Sequence, residues 1–151
     1  MDKRFYFAYG SNLDEIAMKK RCPDSKLIGS HELKNYKFII NKLGWASIIR
    51  KMNSSAFGVI WEISKEDENR LDEYEDVESG LYRKDFISLS DRGKNGIALT
   101  YIADNNQVYH SYVEDNEDRY RQEIIKIYID RICFWAKKHE FPLFYIEEVS
   151  N

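Results

Sequence analysis

The sequence predicts an α+β fold, a mixed β-sheet with peripheral helices in one domain. Three observations carry that reading. Six or more segments have strand character, aromatic and β-branched residues bounded by Gly, Asp or Asn. Three others recur at helical spacing, and the two kinds do not alternate as strict βαβ units. At 151 residues, 43% of them hydrophobic, the chain is the size of one domain able to bury its own core.

The elements follow in order. Lys3 to Tyr9 (KRFYFAY) is short, aromatic and closed by Gly10, which predicts a strand. Leu13 to Lys20 is a helical run, with Asn12 as N-cap and Glu15 at capping-box spacing, closed by Cys22-Pro23-Asp24. Lys26 to Ile40 reads as one or two strands, followed by separate strands over Trp45 to Arg50 and Ala56 to Ile63. The last of these places Phe57, Val59 and Trp61 on one face, Gly58 and Ile60 on the other. Ser64 to Tyr74 turns helical, with Ser64 as N-cap, Asp67 three residues on and Leu71 as apolar anchor. Tyr82 to Leu89 and Gly96 to Ala103 form a strand pair joined by the turn-rich Asp91 to Gly96. Asp104 to Asp118 is a polar linker with tyrosines. Glu117 to Lys138 is the longest helix, its Ile124, Ile125, Tyr128, Ile132 and Trp135 recurring at three and four, and Leu143 to Val149 is a final strand.

Composition excludes several function classes. Twenty-three basic against 26 acidic side chains leave a net charge of −3, a field that does not attract nucleic acid. The run Lys19-Lys20-Arg21 sits where the first helix should end, and cations there suit the helix dipole better than they make a phosphate patch. Cys22 and Cys133 lie far apart without a CxxC pattern and read as reduced thiols, one near a helix end and one on a helix face. His31, His110 and His139 lack ligand spacing, so no zinc site is expected. The longest apolar stretches are far short of the ~20 residues of a membrane helix, and no charged-then-apolar leader is present, so a cytoplasmic protein is expected.

Two places carry candidate chemistry. Tyr9-Gly10-Ser11-Asn12-Leu13 is a strand–loop–helix junction, where unpaired N–H groups favour anions and Gly allows close approach. It is no Walker loop, having one glycine and no Gly-Lys-Ser/Thr, and a plain turn with a polar cap would read the same way. The second is the acidic cluster Asp72-Glu73-Tyr74-Glu75-Asp76. A charge run at a helix end is usually a solvated face, yet acids at a helix C-terminus oppose the dipole, a local conflict of the kind found at functional sites. Spacing puts Glu75 on the side of Leu71, which makes it the carboxylate to be desolvated.

Together these segments are specific. FAYGSNL (Phe7 to Leu13) with LDEYEDVESGLY (Leu71 to Tyr82) resembles the γ-glutamylcyclotransferase-like family, including its AIG2-like bacterial members. GWASII (Gly44 to Ile49) and GVIWEIS (Gly58 to Ser64) resemble the family's strands in the same order, and Tyr128, ahead of ICFWAKKHEFPLFY, resembles its pocket tyrosine. Asp104 to Arg121 matches least. The resemblance implies a barrel-like mixed sheet with the pocket at the YGSNL loop. It implies Glu75 as the general acid/base, a ligand cradle at Tyr9, Gly10, Ser11, Asn12 and Leu13, and pocket walls at Tyr82 and Tyr128. The implied reaction is intramolecular aminolysis of a γ-glutamyl amide or γ-glutamylamine, a cyclising acyl transfer that releases 5-oxoproline and the free amine. No cofactor is implied, and a homodimer is left open. The alternative is a non-catalytic protein using the same pocket to hold a small carboxylate or amine. A third reading, an interaction module built on the acidic helix, has only charge in its favour. The leaving amine is expected to meet Asp104 to Arg121 and the loop before Trp45.

Overall fold

A computed structural model describes residues 3–89, 96–103 and 119–151. Among these residues five strands form one sheet: β1 (Arg4–Ala8), β2 (Lys26–Ile40), β3 (Ala46–Ile63), β4 (Arg83–Ser88) and β5 (Ile97–Ile102), in the order β2-β3-β1-β5-β4. β1 is parallel to β5 and antiparallel to β3, so the sheet is mixed, as expected. Among the described residues it is open, with β2 and β4 at its edges, rather than barrel-like and six-stranded. Four helices are found among the described residues: α1 (Glu15–Arg21), α2 (Lys65–Tyr74), α3 (Arg119–Lys138) and α4 (Leu143–Ser150).

β1 is central, and Tyr6, Phe7 and Ala8 are all buried because both faces are covered. That explains its unbroken apolar run. Its neighbour β3 approaches closely at Gly58, where a Cβ would lie 2.6 Å from the Phe7 ring. Phe7 and Trp61 are almost wholly buried, each contributing about 1.5–3 kcal/mol of transfer free energy.

The segments expected as separate strands, Trp45 to Arg50 and Ala56 to Ile63, fall in one strand, β3, which starts at Ala46 and is 18 residues long. The polar stretch between them continues the strand through a bulge, where Asn53 N–H donates to Asn35 Oδ1 at 3.2 Å. It looks like a loop in sequence because it is solvated and needs no alternation; Met52 there is 80% exposed.

The final strand is a correction. Leu143–Ser150 is a helix entered from Pro142, burying Tyr145, Ile146 and Val149. Those three positions fall on one helical face, but a short apolar run does not separate helix from strand by periodicity. Phe57 of β3 packs on this face, its ring 4.9 Å from that of Tyr145. α3 buries Ile125, Ile132, Cys133 and Ala136, with Tyr128 and Trp135 partly covered. Ile124, expected on the same face, points outward and is 49% exposed. The proposed helix start at Glu117, the linker from Asp104 and most of the Asp91–Gly96 turn lie outside the described residues. Cys22 ends α1 and Cys133 lies on α3, both buried and free. No helix among the described residues is long and apolar enough to cross a membrane.

Candidate active site

The strand–loop–helix junction after β1 is built differently from its sequence reading. Ser11–Leu13 is a 3-10 turn, and the N-cap of α1 is Asp14, whose Oδ1 accepts from Ala17 N–H at 3.0 Å. Asn12 is therefore not a cap and Glu15 makes no capping box. The displacement has a physical reason: a buried Asn12 is occupied elsewhere, while Asp14 pairs with Arg131 of α3. Burial raises the Asp14 pKa, but the Ala17 N–H and the Arg131 guanidinium outweigh it and hold the carboxyl below its usual range. The turn leaves the N–H groups of Ser11 and Asn12 without an acceptor inside it.

α2 forms as its sequence suggests. Ser64 Oγ accepts from Asp67 N–H at 3.1 Å and Asp67 Oδ2 accepts from Ser64 N–H at 3.3 Å, a complete capping box. Leu71 is fully buried, and the helix ends at Glu75, whose N–H donates to Leu71 O at 2.8 Å. Asp72 faces away from the cavity side of Glu75: its Oδ1 accepts from Tyr101 at 2.7 Å and its Oδ2 from Lys84 at 3.0 Å. Lys84 also pairs with buried Glu68, which Arg4 contacts at 3.0 Å. Glu73 is exposed.

The two segments meet across a cavity of about 170 Å³. Its wall contains Tyr9, Gly10, Ser11, Asn12, Glu75, Tyr82 and Tyr128, so seven of the eight candidate residues are brought together. Leu13 is not: it is 1% exposed in the core behind the turn, where its carbonyl is 2.8 Å from His139 Nε2. Desolvation by burial raises the Glu75 pKa to about 7, with the Arg21 charge pulling the other way. A carboxyl with that pKa exchanges protons near neutrality, as a general acid/base must.

Sequence reasoning missed Tyr6, Trp45, Ala46, Tyr74, Leu81 and Tyr101 on the same wall. Arg21, set aside as part of a helix-end basic run, lies behind the wall against two of its residues. Its guanidinium lies 3.5 Å from the Tyr74 ring centre and donates to Asn12 Oδ1. The aromatic content of β1 was the available signal for Tyr6; nothing local marked Tyr101, which arrives from β5.

The hydroxyls of these tyrosines are unequally committed. Tyr9 donates to Tyr101 O, Tyr82 to Ala46 O, and Tyr101 to Asp72. Tyr74 shares a hydrogen bond of 3.0 Å with Ser11 Oγ. Tyr128 instead accepts from Ala46 N–H at 3.3 Å, and Tyr6 accepts from Asn12 Nδ2 at 2.9 Å. Among the described residues no group of three His, Cys, Asp or Glu is arranged to hold a metal ion.

Known proteins share this architecture. The AIG2-like family matches residues 55–149. The chain is 28% identical over 156 aligned positions to the gamma-glutamylcyclotransferase of Homo sapiens, covering 96% of this chain and 76% of that protein. An uncharacterized protein from Homo sapiens of known structure superposes with a TM-score of 0.76 at 26% identity, covering 99% of this chain and 87% of the other. A gamma-glutamyl cyclotransferase structure gives a TM-score of 0.73 at 25% identity, over 98% and 86%.

Proposed function

We infer the function from one premise: this chain belongs to the AIG2-like family. We propose that it is a γ-glutamylcyclotransferase-type enzyme, converting a γ-glutamyl amide or γ-glutamylamine to 5-oxoproline and a free amine. The observation that carries the proposal is Glu75, a partly buried carboxyl on the cavity wall with its pKa raised to about 7.

The reaction needs no external nucleophile. The α-amino nitrogen of the substrate attacks its own γ-carbonyl carbon, and the bond to the leaving nitrogen breaks. Glu75 takes a proton from the attacking amine and returns it to the leaving nitrogen, so one carboxylate serves both steps; such groups contribute roughly 10²–10⁴-fold. The cavity of about 170 Å³ is below the range of drug-sized sites and suits the glutamyl end, with the leaving amine projecting outward past half-exposed Trp45. Holding amine and carbonyl in contact supplies several kcal/mol more. The N–H groups of Ser11 and Asn12 are available for the substrate carboxylate.

The test is 5-oxoproline release from a panel of γ-glutamyl amino acids and γ-glutamylamines, run beside Glu75→Gln. Release by the parent and its loss in the variant are expected. A folded parent inert on every member, yet binding the ligands, would favour the non-catalytic binding protein.

A further inference from the structure

We propose that Tyr6 is a second catalytic residue, a hydrogen-bond donor to the γ-carbonyl oxygen, directed into the cavity by a one-way relay from Arg21 through Asn12. This inference rests on the cyclotransferase reading above and adds a residue to its site.

The direction of the relay follows from what each group can do. A guanidinium only donates, so the Asn12 atom facing Arg21 must be Oδ1. That fixes the amide, and Nδ2 must then face Tyr6, at 2.9 Å from its hydroxyl oxygen. The Asn12 amide can only donate there, so the Tyr6 oxygen accepts. The Tyr6 O–H proton consequently has no acceptor among the described residues and is left for the cavity that Tyr6 lines. Every donor in the chain points the same way, from a fixed cation toward the ligand space, and bonds aligned in this sense polarise one another.

Each joint is held. Asn12 is 1% exposed, and its backbone carbonyl accepts from buried Trp61 Nε1 at 3.1 Å. Arg21 is kept in place by the Tyr74 ring beneath it. Tyr6 is 4% exposed and packs edge-on against Tyr101, with ring centres 5.8 Å apart. Burial first, and the Glu75 charge second, push the Tyr6 pKa well above its ordinary value, so the hydroxyl keeps its proton. Of the other cavity tyrosines, Tyr9, Tyr82 and Tyr101 have spent theirs on protein acceptors. Tyr128 accepts only from a backbone N–H at 3.3 Å, with no side-chain donor orienting its hydroxyl among the described residues.

In the reaction the amine nitrogen forms its bond to the γ-carbon and the carbonyl oxygen gains negative charge. Tyr6 donates a hydrogen bond to that oxygen and transfers no proton; the proton traffic stays with Glu75. When the carbonyl re-forms, the leaving nitrogen departs with the proton from Glu75.

The relay makes a sharp prediction, because Asn12→Asp is isosteric but cannot donate. The new carboxylate would still pair with Arg21, and Tyr6 would turn its O–H toward it, away from the cavity. At pH 9, where Glu75 is ionised in every variant, Tyr6→Phe and Asn12→Asp should each lower kcat by the same factor, about 10²–10³, with KM little changed. The double variant should be no slower than either single one. A rise in KM with kcat intact would overturn the proposal by showing that Tyr6 only shapes the cavity. So would an Asn12→Asp variant with parental kcat, or one whose loss multiplies with that of Tyr6→Phe. If the parent cyclises no γ-glutamyl compound, the cyclotransferase reading fails and the donor is judged by calorimetric binding of 5-oxoproline. Equal weakening in both variants then supports Tyr6 as a ligand donor only and overturns its catalytic role, whereas unchanged affinity, or no binding by the parent, overturns both.

Discussion

The guanidinium of Arg21 stacks 3.5 Å from the ring centre of Tyr74, which places a positive charge beside Glu75 at the end of α2. Two opposed effects therefore act on one carboxyl. Burial disfavours its charge and dominates; Arg21 favours the charge and moderates the rise to about 7.

The first prediction is kinetic. The proposed mechanism needs ionised Glu75 in the free enzyme, so kcat/KM should rise with pH through about 7. Arg21→Met removes the moderating cation and should move that limb to higher pH by about half a unit or more. A shared substrate ionisation cannot produce the difference between the two enzymes. An unmoved limb would mean that Arg21 does not act on the titrating group.

The same carboxyl sets a stability trend. Its folded pKa of about 7 lies above the ordinary value of 4.5, so between these values the folded state binds more protons than the unfolded state. The contribution of Glu75 to stability is thus fully present below pH 4.5, declines as pH rises to about 7, and stays at its lower value above. Glu75→Gln should match the parent in acid and become progressively more stable toward pH 7, by at most about 3 kcal/mol. Urea unfolding at several pH values measures this; a difference between the two proteins that does not vary with pH would contradict it.

Gly10 tests the cavity wall. A Cβ there would stand 3.1 Å from Ala46 Cβ and 3.6 Å from the Tyr128 hydroxyl, tighter than ordinary contact on one side. Gly10→Ala should narrow the ligand space and reduce kcat/KM at least about tenfold, while overpacking costs about 1–3 kcal/mol. Full activity with unaltered stability would show that the wall yields freely.

Lys84 tests what holds α2 against the sheet. It reaches from β4 to Glu68 and Asp72, and Glu68 is almost fully buried. Burial lowers the Lys84 pKa, but its bonds to the two carboxylates outweigh that and raise it. Lys84→Met should destabilise the protein by about 2–4 kcal/mol, somewhat below the usual loss for a broken buried pair because Arg4 still contacts Glu68. A change under about 0.5 kcal/mol in chemical denaturation would show the network to be solvated and unimportant.

Legibility in the sequence followed the range of the interactions concerned. The α2 N-terminus was readable because Ser64 and Asp67 are three residues apart and each side chain bonds the other's backbone. Glu75 was readable because helical geometry ties its direction to that of Leu71. The Asn12 cap was misread because two local solutions competed. Asp14 won through Arg131, which lies 117 residues away in the chain. The helix at Leu143–Ser150 was misread because its buried face exists only once Phe57 is there to cover it.

By itself, then, the sequence determined the mixed α+β class, the strand pair β4–β5, the capped helix α2, and seven of the eight residues on one cavity wall. These rest on periodicity, capping chemistry and two short motifs, all confined to a few neighbouring positions. Only the tertiary structure decided that the sheet is open, that Leu13 belongs to the core, and that Arg21, Asn12 and Tyr6 stand in a line. The reason is physical: burial and side-chain hydrogen-bond direction arise where distant segments meet, and no local pattern encodes the partner that will be there.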